Sequence, residues 1–182
     1  MVCENLLFRR PESRDVEEIR VLKNNKKAAL LLGGIHRIYT SEDIEKWILF
    51  HNSNSDEVLF VIEDRDAGKL IGHVGLYKID RIAKKTEIGI LIADDDSRGK
   101  GFGTKTTMLM IDYAFDKLGM HKVTAEVLSE NLPSIAMFKK CGFSVDGCLR
   151  DDIFKNERYY DVLSMSILKE EFLQNKTVEN NQ

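Results

Sequence analysis

The 182-residue chain predicts an α/β (α+β) fold, a single mixed, mostly antiparallel sheet of about seven strands with helices on both faces. Three observations carry that expectation. Strand-like and helical runs alternate in the order β-α-α-β-β-β-α-β-α-β-β. Three consecutive strand runs are joined by hairpin-like connectors, Asp66-Ala67-Gly68 and Arg81 to Lys85. A turn with alternating glycines, Ser97-Arg98-Gly99-Lys100-Gly101-Phe102-Gly103-Thr104, then joins the third of those strands to a strongly helical run.

The elements follow in order. A short strand, Leu6 to Arg10, stops at Pro11, which has no N–H for a ladder. Ser13 caps a helix through about Lys26, with Glu17 and Glu18 at the positive end of its dipole. Ser41 opens a second helix, with Ile44, Trp47 and Ile48 at helical spacing. Glu57 to Glu63, Lys69 to Asp80 and Lys85 to Ala93 are the three hairpin strands. After the glycine turn, Met108, Ile111, Ala114, Phe115 and Leu118 fall on one face of a helix over Thr104 to Leu118. Lys122 to Leu128 is a strand, and Leu132 to Lys140 a short helix with Pro133 in its first turn. Gly142 stands where a helix-ending left-handed residue belongs. Phe143 to Phe154 and Tyr159 to Leu168 close the chain as two strands around Lys155-Asn156-Glu157. Residues 1–174 form one domain, and Asn175 to Gln182 a polar tail.

Composition narrows the class. Hydrophobic content of 43% and charged content of 31% describe an ordinary globular protein. A net charge of −3 argues against a broad nucleic-acid footprint and a basic membrane patch. No apolar run reaches the length of a membrane span, and the N-terminal apolar stretch is too short for a secretory signal. Cys3, Cys141 and Cys148 are an odd set without metal-ligand spacing, which suits free thiols in a reducing cytoplasm and predicts no metal.

The glycine turn carries the chemistry. Glycines permit backbone angles and close approaches that a β-carbon forbids. The first turn of the helix leaves N–H groups without intrahelical partners at the positive end of the macrodipole, so it can hold a phosphate or pyrophosphate. A dinucleotide fingerprint needs Gly-x-Gly-x-x-Gly, and Gly99-x-Gly101-x-Gly103 misses it. A P-loop needs a second glycine just before Lys105-Thr106, where Thr104 stands. A nucleotide hydrolase therefore remains only as an alternative.

The third pattern, Arg98-x-x-Gly101-x-Gly103, resembles the cofactor turn of the GNAT superfamily of acetyl-CoA-dependent N-acetyltransferases. So does Asn131-Leu132-Pro133-Ser134-Ile135-Ala136-Met137-Phe138-Lys139-Lys140-Cys141-Gly142-Phe143, which is similar to that superfamily's Asn-x-x-Ser/Ala-x-x-x-Tyr/Phe-x-Lys-x-Gly-Phe segment. Gly147 to Arg150 and Tyr160 to Met165 resemble one branch, holding spermidine/spermine, ribosomal-protein N-terminal and some nucleotide-amino-sugar acetyltransferases. The resemblance covers Leu6 to Leu173. It implies a GNAT-like sheet with a splayed central strand pair and acetyl-CoA as cosubstrate. It places Arg98, Gly99, Lys100, Gly101, Phe102, Gly103 and Thr104 around the CoA pyrophosphate. Leu91, Ile92 and Ala93 would pair with the pantetheine arm as an added strand would. Asn131, Ser134, Met137, Phe138 and Lys140 would line the same cleft, Asn131 near the amides of the arm.

The reaction implied is direct attack of a primary amine on the thioester, in a ternary complex. At pH 7, neutralising an alkylamine with a pKa near 10.4 costs about 4–5 kcal/mol, which calls for a general base. Glu87, sharing a strand face with Gly89 and Leu91, is the candidate; the alternative is that it pairs with a lysine across the sheet. His73 on the neighbouring strand is a second titratable group. Where many relatives place a tyrosine as acid, this chain has Phe138, so water or one of Cys141, Tyr77, Tyr159 and Tyr160 would protonate the thiolate. The amine is small or peptidyl. Asp94, Asp95, Asp96, Asp151 and Asp152 point to a polyamine. Arg37, within an acceptor segment Leu30 to Thr40 that also holds Gly33, Gly34, His36 and Tyr39, points to a substrate with a phosphate or carboxylate. A non-catalytic acyl-CoA-binding module is the other alternative, and a homodimer the default assembly.

Overall fold

The computed structural model describes residues 1–32, 37–97 and 99–179. Its strands are β1 (Val2–Cys3), β2 (Leu6–Arg9), β3 (Val58–Asp64), β4 (Lys69–Asp80), β5 (Lys85–Ile92), β6 (Lys122–Leu128), β7 (Ser144–Lys155) and β8 (Arg158–Leu168). They form one sheet in the order β1-β2-β3-β4-β5-β6-β8-β7, antiparallel throughout except for β5 and β6. The expected seven become eight because Val2–Cys3 pairs with Leu6 and Leu7 across a tight turn in which Glu4 is left-handed. Two residues are too few to show an alternation.

The helices are α1 (Val16–Lys23), α2 (Lys26–Leu31), α3 (Ser41–Ser53), α4 (Phe102–Asp116), α5 (Leu132–Lys140) and α6 (Lys169–Glu179). On one face of the sheet, α4, α5 and α6 bury Met110, Ile111, Phe115, Phe138 and Phe172 against Val74, Leu76, Val123 and Met165. On the other, α1, α2 and α3 bury Ile19, Leu22, Ala28, Ile44 and Ile48 against Val61, Leu70 and Leu91. β3 and β4 are therefore covered on both sides, whereas β6 keeps Glu126 exposed on one of its faces.

Three boundaries differ from the expectations. Ser13 does not cap α1: a 3₁₀ turn over Ser13–Asp15 precedes it, closed by the Glu12 N–H donating to the Asp15 carboxylate at 2.7 Å. The first helix also ends at Lys23. Asn25 starts α2, its side chain accepting from the Ala28 N–H at 3.1 Å. The segment from Asn175, expected as a tail, is helical through Glu179, and Lys176 pairs with Asp112 on α4. Among the described residues no helix is long and apolar enough to cross a membrane.

Candidate active site

The sheet opens in its middle. β5 and β6 run parallel and register only at Lys85–Lys122, Thr86–Val123 and Glu87–Thr124, although β5 continues to Ile92 and β6 to Leu128. Main-chain groups of the even-numbered residues of β5 point toward β6. The Lys84 carbonyl accepts from the N–H groups of His121 and Lys122, and the Thr86 carbonyl accepts from the Thr124 hydroxyl at 3.3 Å. By strand alternation Ile88, Ile90 and Ile92 point into the opening. Leu91 pairs with His73 on β4. Ala93 faces away as well: its N–H donates to the Ile71 carbonyl at 3.0 Å and its carbonyl accepts from Asn25 at 2.8 Å. Of the three expected pantetheine partners only Ile92 keeps the right direction, and Ile90 was missed. Fixing one paired residue would have set the alternation.

At the mouth of this opening the glycine turn feeds α4. Gly99 and Gly101 have φ of 76° and 79°, left-handed values that favour glycine, and Gly101 is the residue from which α4 starts. The first intrahelical bond runs from Lys105 N–H to the Gly101 carbonyl at 3.0 Å, so the amides of Phe102, Gly103 and Thr104 have no helical acceptor. A β-carbon on Gly103 would lie 2.9 Å from the Met137 sulfur, so this glycine leaves room for the Met137 side chain as it is placed here. Arg98 lies outside the described residues. Between α4, α5, α2 and the end of β5 sits a cavity of about 590 Å³. Leu91, Ile92, Gly99, Gly101, Phe102, Gly103, Thr104, Asn131, Ser134, Met137 and Lys140 line it, as the sequence suggested, together with Ala28, Leu31 and Ile90. Lys100 is exposed and is not among the lining residues. Phe138 does not line it either; it is buried against Phe143, ring centroids 4.9 Å apart. One step along α5 turns the helix by about 100°, which puts Met137 on the cleft and Phe138 in the core.

Asn131 is engaged as a fastener. Its side-chain oxygen accepts from the Ser134 N–H at 3.2 Å, capping α5, and its amide donates to the Leu31 carbonyl at 2.9 Å. That leaves it positioning two walls of the cavity rather than reacting.

A second cavity, about 180 Å³, adjoins the first across Leu32, Ile90 and Leu91. Lys23, Arg37, Tyr39, His73 and Tyr77 line it. Glu87 lines neither cavity: it is bonded to Lys78 at 2.8 Å, and the ring of Tyr77 covers Gly89 between it and the opening. Gly33, Gly34 and His36 of the acceptor segment lie outside the described residues. Among the described residues both ring nitrogens of His73 are buried without partners, and burial, with Lys23 and His51 nearby, holds it well below the usual histidine range. It is a neutral imidazole at pH 7. Burial and the nearby Glu57 and Glu87 push the Tyr77 phenol up. Burial also raises the Cys141 thiol to about 11, and Cys141 is away from both cavities. Tyr159 packs on Phe154, and Tyr160 lies under Arg158. Of the four candidate acids only Tyr77 reaches a cavity. Lys23 was missed altogether, since nothing in a helix-terminal lysine signals that the fold will enclose it. Burial and Arg37 lower it to about 8.

A parted parallel pair, a bare helix N-terminus at its mouth and a second pocket at its apex together define an acyl-CoA-dependent transferase. Residues 5–144 match the family model described as an acetyltransferase (GNAT) domain, so this chain belongs to the GNAT acetyltransferases. The nucleotide-hydrolase alternative falls with that membership. Among its relatives is a spermidine N(1)-acetyltransferase of Vibrio cholerae, 33% identical over 169 residues, covering 92% of this chain and 95% of the relative. The same enzyme of Escherichia coli is 29% identical over 168 residues, 89% of this chain and 85% of the relative. A crystal structure of the Vibrio cholerae enzyme in complex with CoA and spermine superposes with a TM-score of 0.85 at 32% identity, covering 94% of this chain and 99% of that one.

Proposed function

We propose that this acetyltransferase carries an acetyl group from acetyl-CoA directly to a small primary amine in a ternary complex. The observation that carries the reading is the first turn of α4, whose amides have no acceptor in the helix, opening onto the 590 Å³ cavity at the β5–β6 fork. The amides of Phe102, Gly103 and Thr104 suit a pyrophosphate, and the Lys140 side chain on the same wall adds positive charge. The main chain of Ile90 is placed to bond a pantetheine amide, and its N–H near the thioester would polarise the carbonyl. The amine enters through the smaller cavity and meets the thioester where Leu32, Ile90 and Leu91 bound both spaces.

The pocket itself favours a neutral nucleophile. The surroundings that bring Lys23 to about 8 act on an incoming amine in the same direction. For an amine brought to that value, deprotonation at pH 7 costs about 1.4 kcal/mol rather than the 4–5 kcal/mol of a free alkylamine. Glu87, bonded to Lys78 behind Tyr77, makes no direct contact in this scheme, and Asn131 holds α2 and α5 in place. With Phe138 in the core, water protonates the departing thiolate, a fair leaving group with a thiol pKa of about 8.5.

The test is twofold. Gly101→Asp introduces a side chain at a left-handed position facing the cradle and is expected to abolish CoA binding by calorimetry in a protein still folded by circular dichroism. The parent is expected to release thiol from acetyl-CoA only when a primary amine is supplied. Unchanged CoA affinity in the variant would contradict the cradle. We also propose a cytoplasmic homo-oligomer, at least a dimer. A dodecameric structure of the Vibrio cholerae enzyme, the exposed Val145, Leu149 and Phe154 on the outermost strand β7, and three free cysteines support this.

A further inference from the structure

The smaller cavity has a charge of its own. Lys23 ends α1 with its ammonium over two rings, 4.3 Å from the centroid of Trp47 and 5.1 Å from that of Tyr39. Among the described residues no carboxylate pairs with it. Arg37 also lies over the Tyr39 ring, 4.7 Å from its centroid. Its one ion-pair partner among those residues, Asp43, is loose at 3.7 Å. The Asp43 carboxylate is already held by the N–H and hydroxyl of Thr40, both at 2.9 Å, in the cap of α3. The third titratable wall, His73, is a neutral imidazole. The acceptor side therefore presents two cations and two phenol rings, and among the described residues no acidic one lines it.

Four of the acids that suggested a polyamine, Asp94, Asp96, Asp151 and Asp152, are elsewhere. Asp94 is taken by Lys69 at 2.7 Å and by the Ser97 hydroxyl at 2.5 Å, and Asp96 stands near the same lysine. Asp151 and Asp152 lie exposed on β7, and none of these four borders either cavity. A substrate bearing several ammonium groups would bring like charges against Lys23 and Arg37 with nothing to offset them.

Building on the acetyl-transfer reading above, we infer that the acceptor is a compact amine that also carries an oxyanion, a carboxylate or a phosphate, held by Lys23 and Arg37. The guanidinium supplies a planar donor fork for two oxygens, and the ammonium supplies a point charge from inside the pocket. The two rings fix both cations, so little side-chain freedom is lost when the anion arrives. A cavity of about 180 Å³ suits an amine of amino-acid size and excludes the long chain of a polyamine from lying within it. This specificity separates the chain from what its spermidine-acetylating relatives are named for.

Trp47 is the chain's single tryptophan and touches Lys23, so its fluorescence reports occupancy of this pocket without turnover. Protein saturated with CoA is titrated with L-glutamate, O-phosphoethanolamine and spermidine. At least one of the two anionic amines is expected to saturate at a concentration tenfold or more below spermidine, and the better of the two tells carboxylate from phosphate. Arg37→Gln should weaken that anionic amine at least tenfold and leave spermidine unchanged or tighter. Lys23→Met, which keeps the stem against Trp47, should act in the same direction. Spermidine binding tighter than both anionic amines, or no saturable change with either of them, would overturn the inference. So would an Arg37→Gln variant that binds all three as the parent does. CoA binding is measured separately by calorimetry, and its failure would strike the acetyl-transfer reading instead.

Discussion

Replacing Lys155 by methionine should loosen one wall of the CoA cavity from more than a hundred residues away. Lys155 ends β7, is only 6% exposed, and sends its ammonium into the C-terminus of α2. There it donates to the carbonyls of Ala29 at 2.6 Å, Leu30 at 3.3 Å and Leu32 at 2.7 Å. A six-residue helix does not persist alone in water, so α2 depends on such outside fastenings. Each hydrogen bond to a charged group contributes about 1.5–3 kcal/mol, and the ammonium favours the negative end of the helix. Against this stands the cost of enclosing the charge, which holds Lys155 below the usual lysine range. The freed carbonyls of an exposed helix end also regain water. The expected net loss is about 2–3 kcal/mol, less than the simple sum of three charged bonds. Urea denaturation should show that loss at constant slope, and amides of α2 should exchange faster. CoA affinity should fall about threefold to tenfold as the wall opens. A midpoint within about 0.5 kcal/mol of the parent, with α2 equally protected, would refute the clamp.

Two further outcomes follow from the pocket. Lys23 is lowered from 10.5 to about 8 in the folded chain, so between those values the unfolded state binds more protons and stability rises with pH. Denaturation from pH 7 to 10 should show the parent gaining up to about 3 kcal/mol that Lys23→Met does not gain, and a parallel pair of curves would remove the effect. Glu87→Gln should leave turnover within about threefold and its pH profile unmoved, because an ion pair with an exposed lysine contributes little. A large loss that recovers in alkali would restore Glu87 as the base.

Much of the sheet was legible because its strands are long apolar runs bounded by Asp66 to Gly68, Arg81 to Lys85 and the alternating glycines. The cradle was legible for a related reason: positive φ at Gly99 and Gly101 is a local demand that leaves a local mark. What escaped depends on contacts distant in sequence. The partner of Glu87 is set by an irregularity in β4, where left-handed Lys78 breaks the register after Tyr77 and swings its amine across to β5. Alternation cannot foresee a break in itself. The fastening of α2 by Lys155 and Asn131 joins positions roughly a hundred residues apart, and each of those side chains reads locally as an ordinary turn or cap residue. Lys23 became a pocket wall only because Trp47 and Tyr39 close over it.

The fork between β5 and β6 leaves a row of peptide groups, Ile88 and Ile90 among them, directed at a gap where any other sheet would have its next strand. On the proposed reading, a cosubstrate with amides of its own would supply that row's missing neighbour, and the fold would be completed by the molecule it consumes. Each turnover would then withdraw a piece of the architecture as well as a product, and the empty enzyme would be the least cohesive species in its own cycle.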